Sequence, residues 1–195
     1  AAHTPLMGGI YTAIATDILT GCRREVTTEV IPSSPAVVEA VVTTLAFAEE
    51  HVIEANAVGS GDYEYRLDNG PWQLDGTFID VGPGEHTVTV RDLNGCGIGT
   101  KSVLVIDYPR FFTPNGDGYN DTWQISGIDT RPLSTIYIFD RYGKLLKQLS
   151  PLSEGWDGTF NGKPLPATDY WFSVNYEEPG TDIIKTFRAH FSLKR

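Results

Sequence analysis

The sequence predicts an all-β protein built as two tandem immunoglobulin-like β-sandwich domains. Short runs of alternating apolar and polar residues recur along the chain, the period expected of half-buried strands. Turn pairs such as Asn69–Gly70, Pro83–Gly84, Asp157–Gly158 and Asn161–Gly162 punctuate those runs. A length of 195 residues gives enough chain for one or two real cores.

Composition places the division between the two. Residues 1–108 carry 15 acidic and 5 basic side chains, a formal −10, whereas residues 109–195 carry 10 of each. Of 22 aromatic residues, 15 follow Tyr108, including three of the four Trp. Two units therefore meet near Asp107–Tyr108–Pro109. The acidic first half argues against a nucleic-acid partner, because phosphate binding requires a basic face. No apolar run approaches the roughly 20 residues of a membrane-spanning helix. The chain has no initiator Met and no basic-then-apolar leader, and so reads as a fragment or a processed form.

The first half contains an internal repeat. YTAIATDILTGC (Tyr11 to Cys22) aligns with HTVTVRDLNGC (His86 to Cys96), matching Asp17 to Asp92, Gly21 to Gly95 and Cys22 to Cys96. Each copy then leads into a β-rich end, TTEVI at 27–31 and KSVLV at 101–105. A period of this length makes residues 1–31 the tail of one module and 32–107 a whole one. Equivalent positions in consecutive modules lie a module-length apart, well beyond the ~7 Å a disulfide allows between Cα atoms. Cys22 and Cys96 are therefore expected as unpaired thiols, or as thiols whose partners lie outside this sequence.

Within the whole module, GDYEYRLDNGPWQL places Tyr63, Tyr65 and Leu67 on one face and turns at Asp68–Asn69–Gly70. EHTVTVRD alternates again after the Gly82–Pro83–Gly84 turn. The segment PAVVEAVVTTLAFAEEHVIEANA also fits a helix by spacing, but its density of β-branched Val and Thr favours strands. The motifs GDYEYRLDNG, GPGEHTVTV and RDLNGC resemble the SprB-like, PKD-like repeats of surface adhesins from gliding bacteria.

From residue 108 the pattern is β throughout. TWQISG (122–127), STIYIFD (134–140) and KLLKQLS (144–150) are short runs bounded by turn residues. Ile136, Ile138 and Asp140 share one face, and Tyr137, Phe139 and Arg141 the other. Arg141–Tyr142–Gly143–Lys144 joins two antiparallel strands. Tyr170, Phe172, Val174 and Tyr176 alternate in a further strand, and IIKTFRAHFSLKR forms the last. Six or seven strands in this length predict a small sandwich.

FFTPNGDGYNDTW, IYIFDRYGKLL, GWDGTFNGKPLPATDYWFSV and the terminal FSLKR together resemble the gliding-motility-associated C-terminal domain. That family is the type B sorting domain of the type IX secretion system of Bacteroidota. Asp140 stands where the family more often has Asn, and Tyr142 where Trp is common. The resemblance implies that residues 108–195 address a large secreted adhesin to the type IX translocon. It also implies a porin-like outer-membrane partner protein, and passage through the periplasm and outer membrane to the cell surface. The preceding repeat would be a stalk module.

The residues themselves offer no catalytic constellation, so a non-enzyme is expected. His3, His51, His86 and His190 are scattered, no Ser is framed as G-x-S-x-G, and no phosphate loop precedes a helix. Phe112–Trp123 carries two readings. Asn115, Asp117, Asn120 and Asp121 present closely spaced oxygens around two glycines, as half of a Ca²⁺ loop would, with Asp140 or Asp157 available to add more. The same residues are ordinary turn chemistry, since Asx side chains cap nearby backbone amides. Candidates for partner docking are Arg141, Tyr142, Lys144, Lys147, Arg188, Leu193, Lys194 and Arg195, the last three on a terminal strand open to edge pairing. An alternative function is carbohydrate binding, with Trp72, Trp156 or Trp171 stacking on sugar rings.

Overall fold

The alternating runs become strands. The computed structural model describes residues 7–30, 35–95, 97–131, 133–179, 181 and 183–195. Its strands are β1 (Gly9–Thr16), β2 (Arg23–Val30), β3 (Val37–Val42), β4 (Ile53–Val58), β5 (Tyr63–Leu67), β6 (Thr77–Phe78), β7 (Gly84–Asp92) and β8 (Ile98–Val105). These are followed by β9 (Phe111–Phe112), β10 (Thr135–Phe139), β11 (Leu145–Leu149), β12 (Thr159–Phe160), β13 (Lys163–Pro164), β14 (Asp169–Glu177) and β15 (Ile184–Leu193). Among the described residues the only helical piece is a 3₁₀ turn at Ile128–Thr130. The all-β expectation holds.

By its contacts the chain groups into two units. One comprises residues 1–39, 55–76 and 88–101, the other residues 40–54, 77–87 and 102–195. In the first unit β1 and β2 form an antiparallel ribbon, Gly9 opposite Val30 through to Thr16 opposite Arg23. Its turn is closed by the Asp17 carboxylate, which accepts the N–H groups of Leu19 and Thr20 at 2.9 and 2.8 Å. Those bonds hold the Asp17 carboxyl below the usual aspartate range. The repeat motif builds the same device at its second copy. Asp92 accepts Asn94 N–H at 3.0 Å, and Gly95 adopts φ +84° where Gly21 adopts +71°. Only glycine takes that backbone without strain, which explains the glycine that follows the Asp turn in both copies, one residue later in the first. Cys22 is exposed; Cys96, Ile31 and His3 lie outside the described residues. The Asp68–Asn69–Gly70 hairpin is also present, with Gly70 N–H on Leu67 O and Tyr65 bridged to Gln73.

The segment that also fitted a helix is two strands, β3 and β4, joined by residues 43–52. In the second unit that connection closes with Thr43 N–H on Val52 O. It carries Phe47 in the left-handed region at φ +63°, a costly conformation for a bulky residue. Phe47 is nonetheless only 6% exposed. It stacks on Phe187 at 4.4 Å and meets Tyr176 edge-on at 5.0 Å. Burial against this aromatic cluster offsets the backbone strain.

That cluster belongs to a five-stranded sheet in the order β11-β10-β14-β15-β9. All its pairings are antiparallel except β15 with β9. Ile136, Ile138, Tyr170, Phe172, Val174, Tyr176, Phe191 and Leu193 turn inward from it and are buried. Phe112 of β9 is buried with them, as are Trp123, Ile125 and Trp156 from outside the sheet. The Trp123 ring stacks on Phe191 at 4.0 Å and its indole N–H donates to Pro109 O. The strand expected at 122–127 is instead two isolated bridges, Trp123 with Trp156 and Ser126 with Asp107. The Trp123–Trp156 approach is so close that a Cβ on Gly155 would lie 2.8 Å from Trp123 O. The layer facing the sheet is therefore thin and held by tryptophans rather than by a continuous ladder.

Candidate functional site

The 112–123 loop is built around one carboxylate. Asp121 accepts Asn115 N–H and Gly116 N–H on Oδ1 at 2.9 and 2.6 Å, and Gly118 N–H on Oδ2 at 2.7 Å. Asp117 accepts Tyr119 N–H at 2.8 Å and the Asn115 side-chain amide at 2.8 Å. Gly116, Gly118 and Asn120 all adopt positive φ, which lets successive amides converge on Asp121. The bonds from Gly116 and Gly118, then Asn115, hold the Asp121 carboxyl below the usual aspartate range. Asp140 and Asp157 serve turns of their own. Asp140 accepts Tyr142 and Lys144 N–H, and Asp157 accepts Thr159 N–H and its hydroxyl. Among the described residues no three His, Cys, Asp or Glu side chains converge as a metal cage. Asn115, Asp117, Asn120 and Asp121 remain the oxygen donors this loop offers.

The basic candidates divide into two places. Arg141, Tyr142 and Lys144 line one cavity with Leu165 and Thr168. Arg141 donates to the Thr168 hydroxyl, Arg195 to Leu165 O, and Lys144 lies 4.4 Å over the Phe160 ring. Tyr142 is fully on the surface, and Lys147 is exposed on β11. Lys194 sits apart, 4.2 Å over the Phe111 ring. The Leu193 side chain is in the core, and its N–H is taken by Thr168 O, so it offers nothing to a partner through its side chain.

Arg188 occupies the outer face of the sheet, where period-two alternation sends every residue that does not face the core. Tyr137 and Phe139 from β10, Trp171 from β14, and Arg188 and His190 from β15 line an open groove of about 760 Å³ with Arg141 at one end. Register aligns them, Phe139 beside Trp171 and Trp171 beside His190. Trp171 is 41% exposed. Of the other tryptophans proposed to stack on sugars, Trp156 is buried. Trp72 is half-buried between Arg66 and Arg91, 4.7 and 4.1 Å from its ring. The groove was only partly legible, because alternation places Trp171 outward but does not say that three strands align their aromatic residues.

The family model described as CHU_C Type IX secretion signal domain matches residues 106–187. Residues 106–187 are a type IX secretion signal domain. They carry the thin tryptophan layer, most of the five-stranded sheet and the loop centred on Asp121. The signal domain implies interaction with the type IX secretion system and export across the outer membrane. No helix among the described residues is long and apolar enough to cross a membrane. A curated relative is the endo-1,4-beta-xylanase A of Gibberella zeae, 25% identical over 142 residues, covering 70% of this chain and 52% of the relative. Among solved structures, one similar chain is a biofilm associated protein, BSP domain, at 14% identity and a TM-score of 0.26. That alignment covers 84% of this chain and 29% of the other. This chain thus spans about half of the xylanase and under a third of the biofilm protein.

Proposed function

We propose that this chain is the C-terminal part of a large secreted cell-surface adhesin of a gliding member of the Bacteroidota. Residues 108–195 act as its type B sorting domain and residues 32–107 as an SprB-like stalk module, with 1–31 the tail of another. The translocon of the type IX system, with a porin-like outer-membrane partner protein, reads the folded sorting domain. No catalysis is assigned to it. The reading is carried by the signal-domain match over residues 106–187. A surface with exposed aromatic residues among cations, the composition of docking patches, supports it further. The 112–123 loop serves as an Asx-stiffened turn that shapes the entry to the domain, without a resident calcium ion. The deciding experiment fuses a reporter ahead of this chain and deletes residues 109–195. Loss of the reporter from the medium and cell surface is expected, and continued secretion after the deletion overturns the reading.

Trp171 favours one second reading, a carbohydrate-binding module. An exposed indole in a shallow groove beside Tyr137 and Phe139 is the form sugar-stacking platforms take. Binding of the isolated chain on a glycan array would favour that reading.

A further inference from the structure

One edge of the five-stranded sheet is open along most of a long strand. β15 pairs with β14 from Ile184 to Ser192, but on its other side β9 reaches only Ser192 and Leu193. Ser192 N–H points to that outer side, donating to Arg110 O, while Leu193 N–H points back toward Thr168. Alternation then turns the main-chain N–H and C=O groups of Ile184, Thr186, Arg188 and His190 to the outer side. Among the described residues no backbone group pairs with them there. The opposite edge, β11, is a poorer template, because it is short and its pairing with β10 slips at Ile138–Phe139.

Charge decides what an added strand can be. Between Ile183 and Arg195 there is no Asp or Glu, while Lys185, Arg188, Lys194 and Arg195 are cationic. Arg188 is exposed and makes no ion pair among the described residues. A second copy of β15 would set these like charges against each other, which is destabilising across a strand pair. An acidic strand would place carboxylates beside Arg188, and its other outward side chains would border the groove along its Arg188 and His190 side.

We propose that the outer edge of β15 receives an extended acidic segment of a protein partner as an added strand. The partner's backbone pairs with Thr186, Arg188 and His190, and its carboxylates meet Arg188. This deepens the proposed sorting function, and rests on that reading in naming the partner as part of the secretion machinery.

The test has two arms. In vitro, the full ¹⁵N-labelled chain is mixed with the alternating peptide (Glu-Val)4 or with (Lys-Val)4. Amide exchange at Thr186, Arg188 and His190 is expected to slow about tenfold with the acidic peptide and not with the basic one, as cross-strand charge pairing requires. No slowing, or equal slowing by both peptides, overturns the proposal. So does polygalacturonate that perturbs the Trp171 indole while leaving these amides unprotected, since the groove would then be a glycan site. In cells, the reporter fused ahead of the chain carries Thr186→Pro, which removes an edge-facing N–H and the threonine hydroxyl's bond to Asn175 Oδ1, but no backbone bond to β14. A second variant, Arg188→Glu, keeps every backbone bond and carries the test if the proline lowers the melting temperature. Export of both variants at the wild-type level overturns edge pairing while leaving the sorting function intact. Failure of the unmodified fusion to be exported overturns the sorting function itself, and the peptide arm still stands.

Discussion

Asp121 is the residue on which the 112–123 loop turns, and its geometry sets a pH signature. Its carboxyl is held below the usual aspartate range in the folded chain by the Gly116 and Gly118 amides. A group depressed on folding stabilises the fold above its unfolded pKa, and that contribution is lost as pH falls through the folded value. Asp121→Asn is therefore expected to melt below wild type near neutral pH. The gap should narrow as pH falls beneath the ordinary aspartate range, read by thermal denaturation across an acid series. The same instrument tests the ion. Equal melting temperatures in calcium and in chelator are expected, and a rise with calcium would assign the ion to Asn115, Asp117, Asn120 and Asp121. The sequence made the donors of this loop visible but not their allegiance. Alternate Asp and Asn side chains read as cation ligands or as amide caps, and the spacing gives no sign that three N–H groups converge on the one Asp121 carboxylate.

At the scale of elements, the 43–52 connection and the end of β14 hold each other. Ala46 N–H donates to the Glu178 carboxylate at 3.0 Å, and the Tyr176 hydroxyl and Lys185 ammonium reach its other oxygen at 2.8 and 3.1 Å. Burial alone would raise the Glu178 carboxyl, but these partners outweigh it and hold it lowered. Burial, with Glu178 beside it, pushes the Tyr176 phenol up. Glu178→Ala leaves a buried N–H and hydroxyl without their acceptor and is expected to cost about 2 kcal/mol in urea unfolding. Phe47→Ala empties a site between Phe187, Tyr176 and Tyr108 and is expected to cost about 3–5 kcal/mol by the same measurement. Strands in this chain were legible because alternation reports burial directly, as the Ile136–Ile138 and Tyr170–Tyr176 faces show. The Phe47 contact was not, because a lone aromatic in a connection has no period. The 122–127 segment misled for a related reason. Its Trp123 and Ile125 are apolar at the right spacing, yet the segment is held by isolated bridges at Trp123 and Ser126 rather than by a ladder.

For the molecule as a whole, charge and aromatic content divide the sequence near residue 108, while contacts draw residues 40–54 and 77–87 into one unit with 102–195. Composition records what each segment's surface meets and is blind to a single side chain that crosses between segments. A chain of residues 106–195 alone is expected to melt at least about 10 °C below one of residues 36–195, given the loss of Phe47 and the Ala46–Glu178 bond. Calorimetry on the two lengths checks it, and equal melting temperatures would show that the aromatic cluster closes without Phe47.

Phe47 carries a consequence for cargo. The address and the last stretch of what it delivers share one hydrophobic centre, so a passenger grafted directly at residue 106 ships with a hole in its label. Signal transplants that begin upstream of Ala40 should export more reporter than those that begin at Ile106, and Phe47→Ala in the longer transplant should erase the difference. A translocon that accepts only a closed label would then also be inspecting whether the cargo nearest to it has folded.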